Sequence, residues 1–580
     1  MLARHVRQRF VNLLVSLVPA ALLCGSAHAL PRYGPLEISG NVSAQELIRH
    51  PDIDTYSLVE QRNTFKLRVD YSLLEQGQLL QRIAVPFIAQ ARLFLLYRGV
   101  YDSVYDYTPG FEQRDIYGKP SRLRLDDLSG AQRDSIKFEN ELREAYLDLS
   151  FKEVPLSFRL GRQQIVWGET DNFRLLDRVN ALDLTWHLQQ ESWDELRIPY
   201  WMIKGLWDFG QLGPFSSTFM EFYWNPGDWY PARRDFLPRP WSAPIENPLT
   251  PAFAYFHTQG LANGTKLFRQ GDYTRDPMDN SQVGARVSSV FHGVQFTLNY
   301  FYQRWAGGDD GTNSASIKAV DPASVSRTEL PVEFIAPYVH TAGVSLNYAE
   351  EEYTQTVFRM ETIYERGVPF TDASKKMSKL YPGNRYLTAL DRDVFGVSKR
   401  DMWKGMLAFD RPTWIRPLNR NSTFLILGQF FWHHLFNNPD IKCARGFSSG
   451  CGGPFNPQIE GFRGQFSTSG VTPVNGTLVR TSDPFVDKVR DWEALVTLAA
   501  TTFYRGGKIV PLVVYVLDPV NKFNMEVNWA VDYFLTNNLI LNVSQRYFIN
   551  TTEQPVFESW GVGGINRGRS ETGIRLTYQF

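Results

Sequence analysis

Cysteine is scarce in this chain: there are three in 580 residues. Net charge is missing as well, because 61 Lys plus Arg balance 61 Asp plus Glu. That balance removes the general electrostatic grip on which nucleic-acid binding depends, so no nucleic-acid partner is expected. Past the N-terminus no stretch approaches the roughly 18 uncharged apolar residues of a membrane helix, which excludes a helical membrane protein. Phosphate-binding loops and clustered Cys/His ligands are missing too, so no cofactor and no metal are expected; Gly561-Val562-Gly563-Gly564 falls in a predicted loop rather than between a strand and a helix. What the chain has in quantity is aromatic surface, 40 Phe, 27 Tyr and 15 Trp. So much surface to bury is foreign to a disordered polymer.

Arg4, His5, Arg7 and Arg9 precede a largely apolar run from Phe10 to Cys24 and the small-residue motif Ala27-His28-Ala29. This is the pattern of a secretory signal peptide over residues 1–29, cleaved after Ala29; Leu23 before Cys24 is not small, which argues against lipidation. Cleavage removes Cys24 and leaves Cys443 and Cys451, seven residues apart in a Gly-rich stretch exported to an oxidising space. A loop disulfide between them is the expectation.

The mature chain, 30–580, reads as a single domain of two-faced strands. Phe523, Met525, Val527, Trp529, Val531 and Tyr533 alternate with Lys522, Asn524, Glu526, Asn528, Ala530 and Asp532. Phe65, Leu67, Val69 and Tyr71 alternate in the same way with Lys66, Arg68, Asp70 and Ser72. A period of two is the signature of a strand with one greasy and one wet face. Similar runs lie near 91–101, 141–151, 155–164, 197–208, 214–224, 283–291, 293–304, 336–349, 354–366, 402–411, 421–433, 490–503, 508–518, 536–547 and 570–580, with a weaker one at 35–43. Many reach about ten residues, the span of a tilted transmembrane strand, where soluble strands are nearer five or six. Short connections alternate with long ones, the asymmetry of periplasmic turns and extracellular loops. The connection after 518 breaks that rule by being short on the long side. The expected fold is all-β, a transmembrane antiparallel β-barrel of about 18 strands, 16 being the alternative, in the bacterial outer membrane.

The last strand ends on Ile574, Leu576, Tyr578 and Phe580, with Gly573 just before them. This resembles the signal that the barrel assembly machinery reads, and it sets Phe580 at the periplasmic face. The long loops are then 102–140, 225–282, 367–401 and 434–489. The second is rich in Pro yet aromatic, with Trp229, Trp241 and Phe253, and is expected to fold over or into the barrel mouth. An 18-stranded barrel is wide enough for an aqueous lumen. Alternation aims Arg68, Glu144, Asp148, Arg159, Arg359, Glu361, Glu526, Asp532, Arg546 and Arg575 inward, a mixture of signs without a charge-selective ring.

Residues 159 to 199 contain Arg159-Leu160-Gly161-Arg162-Gln163-Gln164, Val166-Trp167-Gly168-Glu169, Arg178-Val179-Asn180-Ala181-Leu182-Asp183 and Ile198-Pro199. With the leader and the terminal Phe, these elements resemble the proteobacterial family called domain of unknown function 1302. The resemblance implies an outer-membrane protein in contact with outer-membrane lipid. By association it also implies partners, an RND-type exporter and a LolB-like lipoprotein, and traffic of a lipid or hydrophobic compound. From the residues themselves, Gly161, Arg162, Glu169, Asp171 and Arg178 suggest a latch that pins the following loop against the barrel wall, in preference to a substrate contact.

The leading functional reading is a non-enzymatic, porin-like channel or transport component. A barrel hydrolase is the alternative; a phospholipase of that kind needs Ser and His close together, and no His-x-Ser occurs in the chain. An adhesin or structural barrel with a closed lumen is the third class.

Overall fold

The structure is a computed structural model that describes residues 34–50, 55–75, 83–108, 136–171, 173–183, 191–229, 277–305, 336–372, 396–437, 491–520, 523–549 and 568–580, with short pieces between them. The leader 1–29, the pairing of Cys443 with Cys451 and most of loops 102–140, 225–282, 367–401 and 434–489 fall outside the described residues.

Eighteen antiparallel strands make one closed barrel. In chain order they are β1 Leu36–Arg49, β2 Ser57–Glu75, β3 Ile88–Asp102, β4 Phe138–Phe151, β5 Leu156–Gln163, β6 Tyr200–Leu212, β7 Phe215–Asn225, β8 Gln282–Phe291 and β9 Val294–Arg304. The second half comprises β10 Tyr338–Glu350, β11 Thr356–Asp372, β12 Gly396–Thr413, β13 Phe424–Leu435, β14 Trp492–Thr501, β15 Ile509–Asp518, β16 Asn524–Phe534, β17 Leu539–Ile549 and β18 Glu571–Gln579. Every run expected from alternation is a strand of this ring. The weak one at 35–43 is the start of β1, 14 residues long. The short connection after 518 is a genuine hairpin, since Asp518 pairs with Asn524.

Each strand pairs with its neighbour in sequence, and β18 returns to β1 from Asn41↔Gln579 to Arg49↔Glu571. Closure satisfies backbone N–H and C=O groups that lipid cannot, which is why a sheet crosses a membrane only as a barrel. No described helix is long and apolar enough to cross. Side-chain burial is inverted relative to a water-soluble protein: Leu298, Phe358, Leu407, Phe430 and Leu498 point outward and are exposed, while Glu361, Glu365 and Lys404 are fully buried inside.

The seam is tied at both ends. Within the wall Arg49 donates to Glu571 at 2.5 Å, with both side chains 1% exposed. At the rim Phe580 and Gly40 exchange two backbone hydrogen bonds of 3.0 Å, and the Phe580 ring covers Gly40 so closely that a Cβ there would meet it at 2.8 Å. Phe65 and Tyr578 stack beside that ring, so the terminal aromatic completes the outer face where the barrel closes.

Candidate functional site

The site begins where a strand stops early. β5 has 8 residues and ends at Gln163, whereas its neighbours β4 and β6 have 14 and 13. The chain therefore leaves the wall inside the barrel rather than at its rim. Gly161 marks the place: its φ is 137°, and a Cβ would lie 2.2 Å from the Ala145 carbonyl oxygen. Residues 164–183 run into the lumen, and 191–199 return through one helical turn, Trp193–Leu196, to the start of β6.

This segment has its own core. Ile165, Trp167, Leu175, Leu176 and Val179 are buried in one cluster with Tyr200, Tyr223, Phe301, Met406 and Phe431 from the inner wall. Trp167 lies 5.5 Å from the Tyr223 ring and 5.2 Å from that of Phe301. Trp229, just beyond β7, joins the cluster, so the first residues of loop 225–282 turn inward. Fully burying side chains of this kind stabilises by roughly 1.5–3 kcal/mol each, enough to order a segment that forms no ladder of its own.

Internal hydrogen bonds shape it. Asn180 receives the Ile165 N–H at 2.9 Å and donates to the Ile198 carbonyl at 2.8 Å, joining the outgoing and returning arms. Arg197 donates twice to Asp177, at 2.9 and 2.7 Å, and Arg174 donates to the Asp177 carbonyl at 2.6 Å.

Two opposite stretches of wall hold the ends. On the side of β9 to β13, the Glu361 carboxylate accepts the backbone N–H groups of Glu169, at 2.9 Å, and Leu176, at 2.5 Å. Arg359 donates to the Glu169 carbonyl at 2.6 Å, to Asp171 at 2.9 Å and to Asp410 at 2.7 Å. Gln429 reaches Asp171 at 3.0 Å, Gln303 reaches the Arg178 carbonyl at 3.1 Å, and Asn347 donates to Glu169. Arg178 pairs with Glu365, which also takes Lys404 at 2.7 Å in a site where Glu365 and Lys404 are both 0% exposed.

On the side of β2 to β4, Arg98 donates to the Glu195 carboxylate at 3.0 Å, and Lys66 pairs with the same group. Arg143 donates to the carbonyls of Asp194 and Arg197 at 2.9 and 2.7 Å, and Arg62 pairs with Glu191 at 2.5 Å. Burial opposes the charge of Glu195, but the cations Lys66 and Arg98 outweigh it and hold the carboxyl down to about 2. The segment is thus a strut that crosses the lumen from one wall to the other.

The ten inward charges expected from alternation have four kinds of surroundings. Arg359 and Glu361 hold the strut. Others pair along the wall: Arg68 with Asp70 at 2.6 Å, Arg159 with Asp148 at 2.7 Å, Arg546 with Glu526 at 3.3 Å, and Asp532 with Asn542 at 2.7 Å. Arg575 stands apart and lines a cavity of about 260 Å³ against β15 to β18 and β1. Glu144 lies half-buried in β4. Of the five latch residues, Glu169, Asp171 and Arg178 meet the far wall, Arg162 pairs with Glu141 on β4, and Gly161 is the departure point.

Sequence reasoning missed Glu365, Lys404, Arg98, Glu141, Arg143 and Glu195. Glu365 was within reach, because it continues the inward parity of Arg359 and Glu361. Glu141 was hidden by a bulge: Leu96 pairs with Glu144 but Tyr97 pairs with Leu142, so Arg143 is the extra residue and the parity flips there. The inside is also less polar than expected, since Leu425, Leu427, Ala499, Leu512 and Val514 occupy inward positions on β13 to β15.

Among the described residues no group of three or more His, Cys, Asp or Glu is placed to hold a metal ion. Residues 77–580 match the family model described as "Protein of unknown function (DUF1302)". No curated protein matches the chain in sequence. Solved structures similar to it include OccAB1 of Acinetobacter baumannii, 10% identical, with 95% of this chain and 98% of that one covered and a TM-score of 0.41. OccK2 of Pseudomonas aeruginosa in complex with glucuronate is 8% identical, with 94% and 98% covered and a TM-score of 0.41. The outer membrane protein opdK of Pseudomonas aeruginosa is 8% identical, with 94% and 98% covered and a TM-score of 0.40.

Proposed function

The chain belongs to the family of proteins of unknown function DUF1302, and from its barrel we propose a porin-like channel or transport component that passes a lipid or hydrophobic compound without chemical conversion. One observation carries the reading: the strut divides the lumen unequally. The arc from β6 to β9 is filled by Trp167, Tyr223, Phe301 and Trp229, while the arc from β15 through β18 to β1 keeps the cavity. The strut is the built-in constriction, with Gly161, Arg162, Glu169, Asp171 and Arg178 as its latch, and the proposal gives the role of lid to loop 225–282, most of which lies outside the described residues. An RND-type exporter and a LolB-like lipoprotein are the partners this role would need on the periplasmic side.

Planar-bilayer conductance of the full chain and of a chain lacking 225–282 tests the proposal. A silent full chain beside a conducting deletion supports the lid; silence in both, with the barrel folded, removes the channel reading.

A further inference from the structure

The arc of the lumen that holds the cavity is not uniformly lined. Its register runs in rows across the wall. One row reads Leu427↔Ala499↔Val514↔Asn528↔Arg546 and the next Leu425↔Thr501↔Leu512↔Ala530↔Ser544↔Gly573. A third reads Asp532↔Asn542↔Arg575↔Gln45. The first two rows pass from mostly apolar residues on β13 to β15 to an amide and a guanidinium or a hydroxyl on β16 and β17, and the third is polar throughout, from β16 to β1. The change of character falls inside the cavity, whose lining includes Leu512, Val514, Asn542, Ser544, Arg546 and Arg575.

Arg546 is partly neutralised by Glu526 at 3.3 Å, and Asn542 donates to Asp532 at 2.7 Å. Arg575 has no carboxylate partner among the described residues; Gln45 and Asn542 stand opposite it on the neighbouring strands. A half-buried guanidinium with only amides opposite it on the neighbouring strands, beside an apolar wall, is a half-filled ion pair. Its complement is one anionic group joined to one hydrocarbon tail.

The geometry points to a binding site for a single-chain anionic amphiphile, a medium-chain fatty carboxylate. The head sits at Arg575 with Asn542 and Ser544 beside it, and the tail lies over Ala530, Leu512 and Val514 toward Ala499 and Leu427. From β17 to β14 is three strand spacings of roughly 4.8 Å each, a length that such a tail spans. A neutral sugar would leave the guanidinium uncompensated and cover the Leu512 wall with polar groups. A bare inorganic anion would leave that wall wet. The site rests on the proposed passage of hydrophobic compounds and names the chemical class that the passage accepts.

The test uses the full-length barrel in lipid nanodiscs and dodecanoate carrying a photoreactive diazirine near its tail end, with cross-links mapped by mass spectrometry. Cross-links are expected on β13 to β15, centred on Ala499, competed by unlabelled dodecanoate and not by dodecanol. Arg575→Gln should reduce them at least tenfold and Arg575→Lys should restore most of the signal; heat-modifiable mobility shows that each variant is folded. Labelling that Arg575→Gln leaves unchanged, or that dodecanol competes equally, overturns the site. Flux of the same probe into proteoliposomes separates the two proposals. Flux without Arg575-dependent labelling defeats the site and keeps the passage; site-specific labelling without flux keeps the site and defeats the passage.

Discussion

Removing the carboxylate of Glu361 should loosen the strut on the β9 to β13 side without harming the barrel. Glu361 is 0% exposed and is the acceptor for two backbone N–H groups, those of Glu169 and Leu176. Hydrogen bonds to a charged group contribute roughly 1.5–3 kcal/mol each. Glu361→Ala loses both bonds, but it also removes the cost of holding a charge away from water, which offsets part of the loss. A net weakening of about 2–3 kcal/mol follows, or roughly a 30- to 150-fold shift toward the undocked strut. The β11 ladders to β10 and β12 are backbone bonds and remain. The assay is single-channel recording in planar bilayers, with protease nicking of 164–183 as the structural readout. In a background lacking 225–282 the variant should show longer open events than its parent, and the segment should be cleaved faster than in wild type, while heat-modifiable mobility stays at wild type. A folded Glu361→Ala barrel with its parent's conductance and a protected segment would refute the strut as a docked element.

Three further outcomes follow from the same geometry. Glu365→Leu leaves the Lys404 and Arg178 charges without their shared carboxylate and should destabilise the barrel by roughly 3–5 kcal/mol, read as a drop in the urea midpoint of folding into micelles. Gly161→Ala places a methyl group against the Ala145 carbonyl at a φ that L-residues avoid and should cost about 1–3 kcal/mol, measured the same way. The depressed carboxyl of Glu195 makes the β2 to β4 anchor pH-dependent with a definite sign. Its folded value, about 2, lies below the unfolded value of about 4.3, so the stabilisation is complete above pH 4.3 and fades as pH falls toward 2. Protease protection of 191–199 should therefore hold from pH 8 to 5 and decline below pH 4, a decline that Glu195→Gln should abolish by removing the protection at every pH.

How much of this could be read from the residues alone follows from which physics was local. A lipid-facing strand announces itself, because water on one face and hydrocarbon on the other force a period of two; β16 with Trp529 and Tyr533 against Asn528 and Asp532 is the clearest case. Boundaries were less legible. β1 runs on to Arg49 and β12 starts at Gly396, since their outer halves mix inward charges with pairing partners far off in sequence. The strut was legible as a motif and not as a structure. Nothing local says that Trp167 and Leu176 turn into the lumen, because their partners Phe301, Tyr223 and Phe431 are supplied by strands distant in sequence. The apolar inner wall was hidden for the opposite reason. On β15 both faces are greasy, with Pro511, Val513 and Tyr515 outside and Leu512 and Val514 inside, so alternation had no contrast to report.

The central claim is that a strut crosses the lumen and leaves the passage on one side. Cysteine accessibility tests it most directly. Asn542 lines the cavity on β17, and Thr297, 4% exposed on β9, lies across the barrel from that arc. With a water-soluble maleimide applied to the barrel in nanodiscs, Asn542→Cys should react rapidly and Thr297→Cys should stay protected. Equal rates at the two positions would contradict the account.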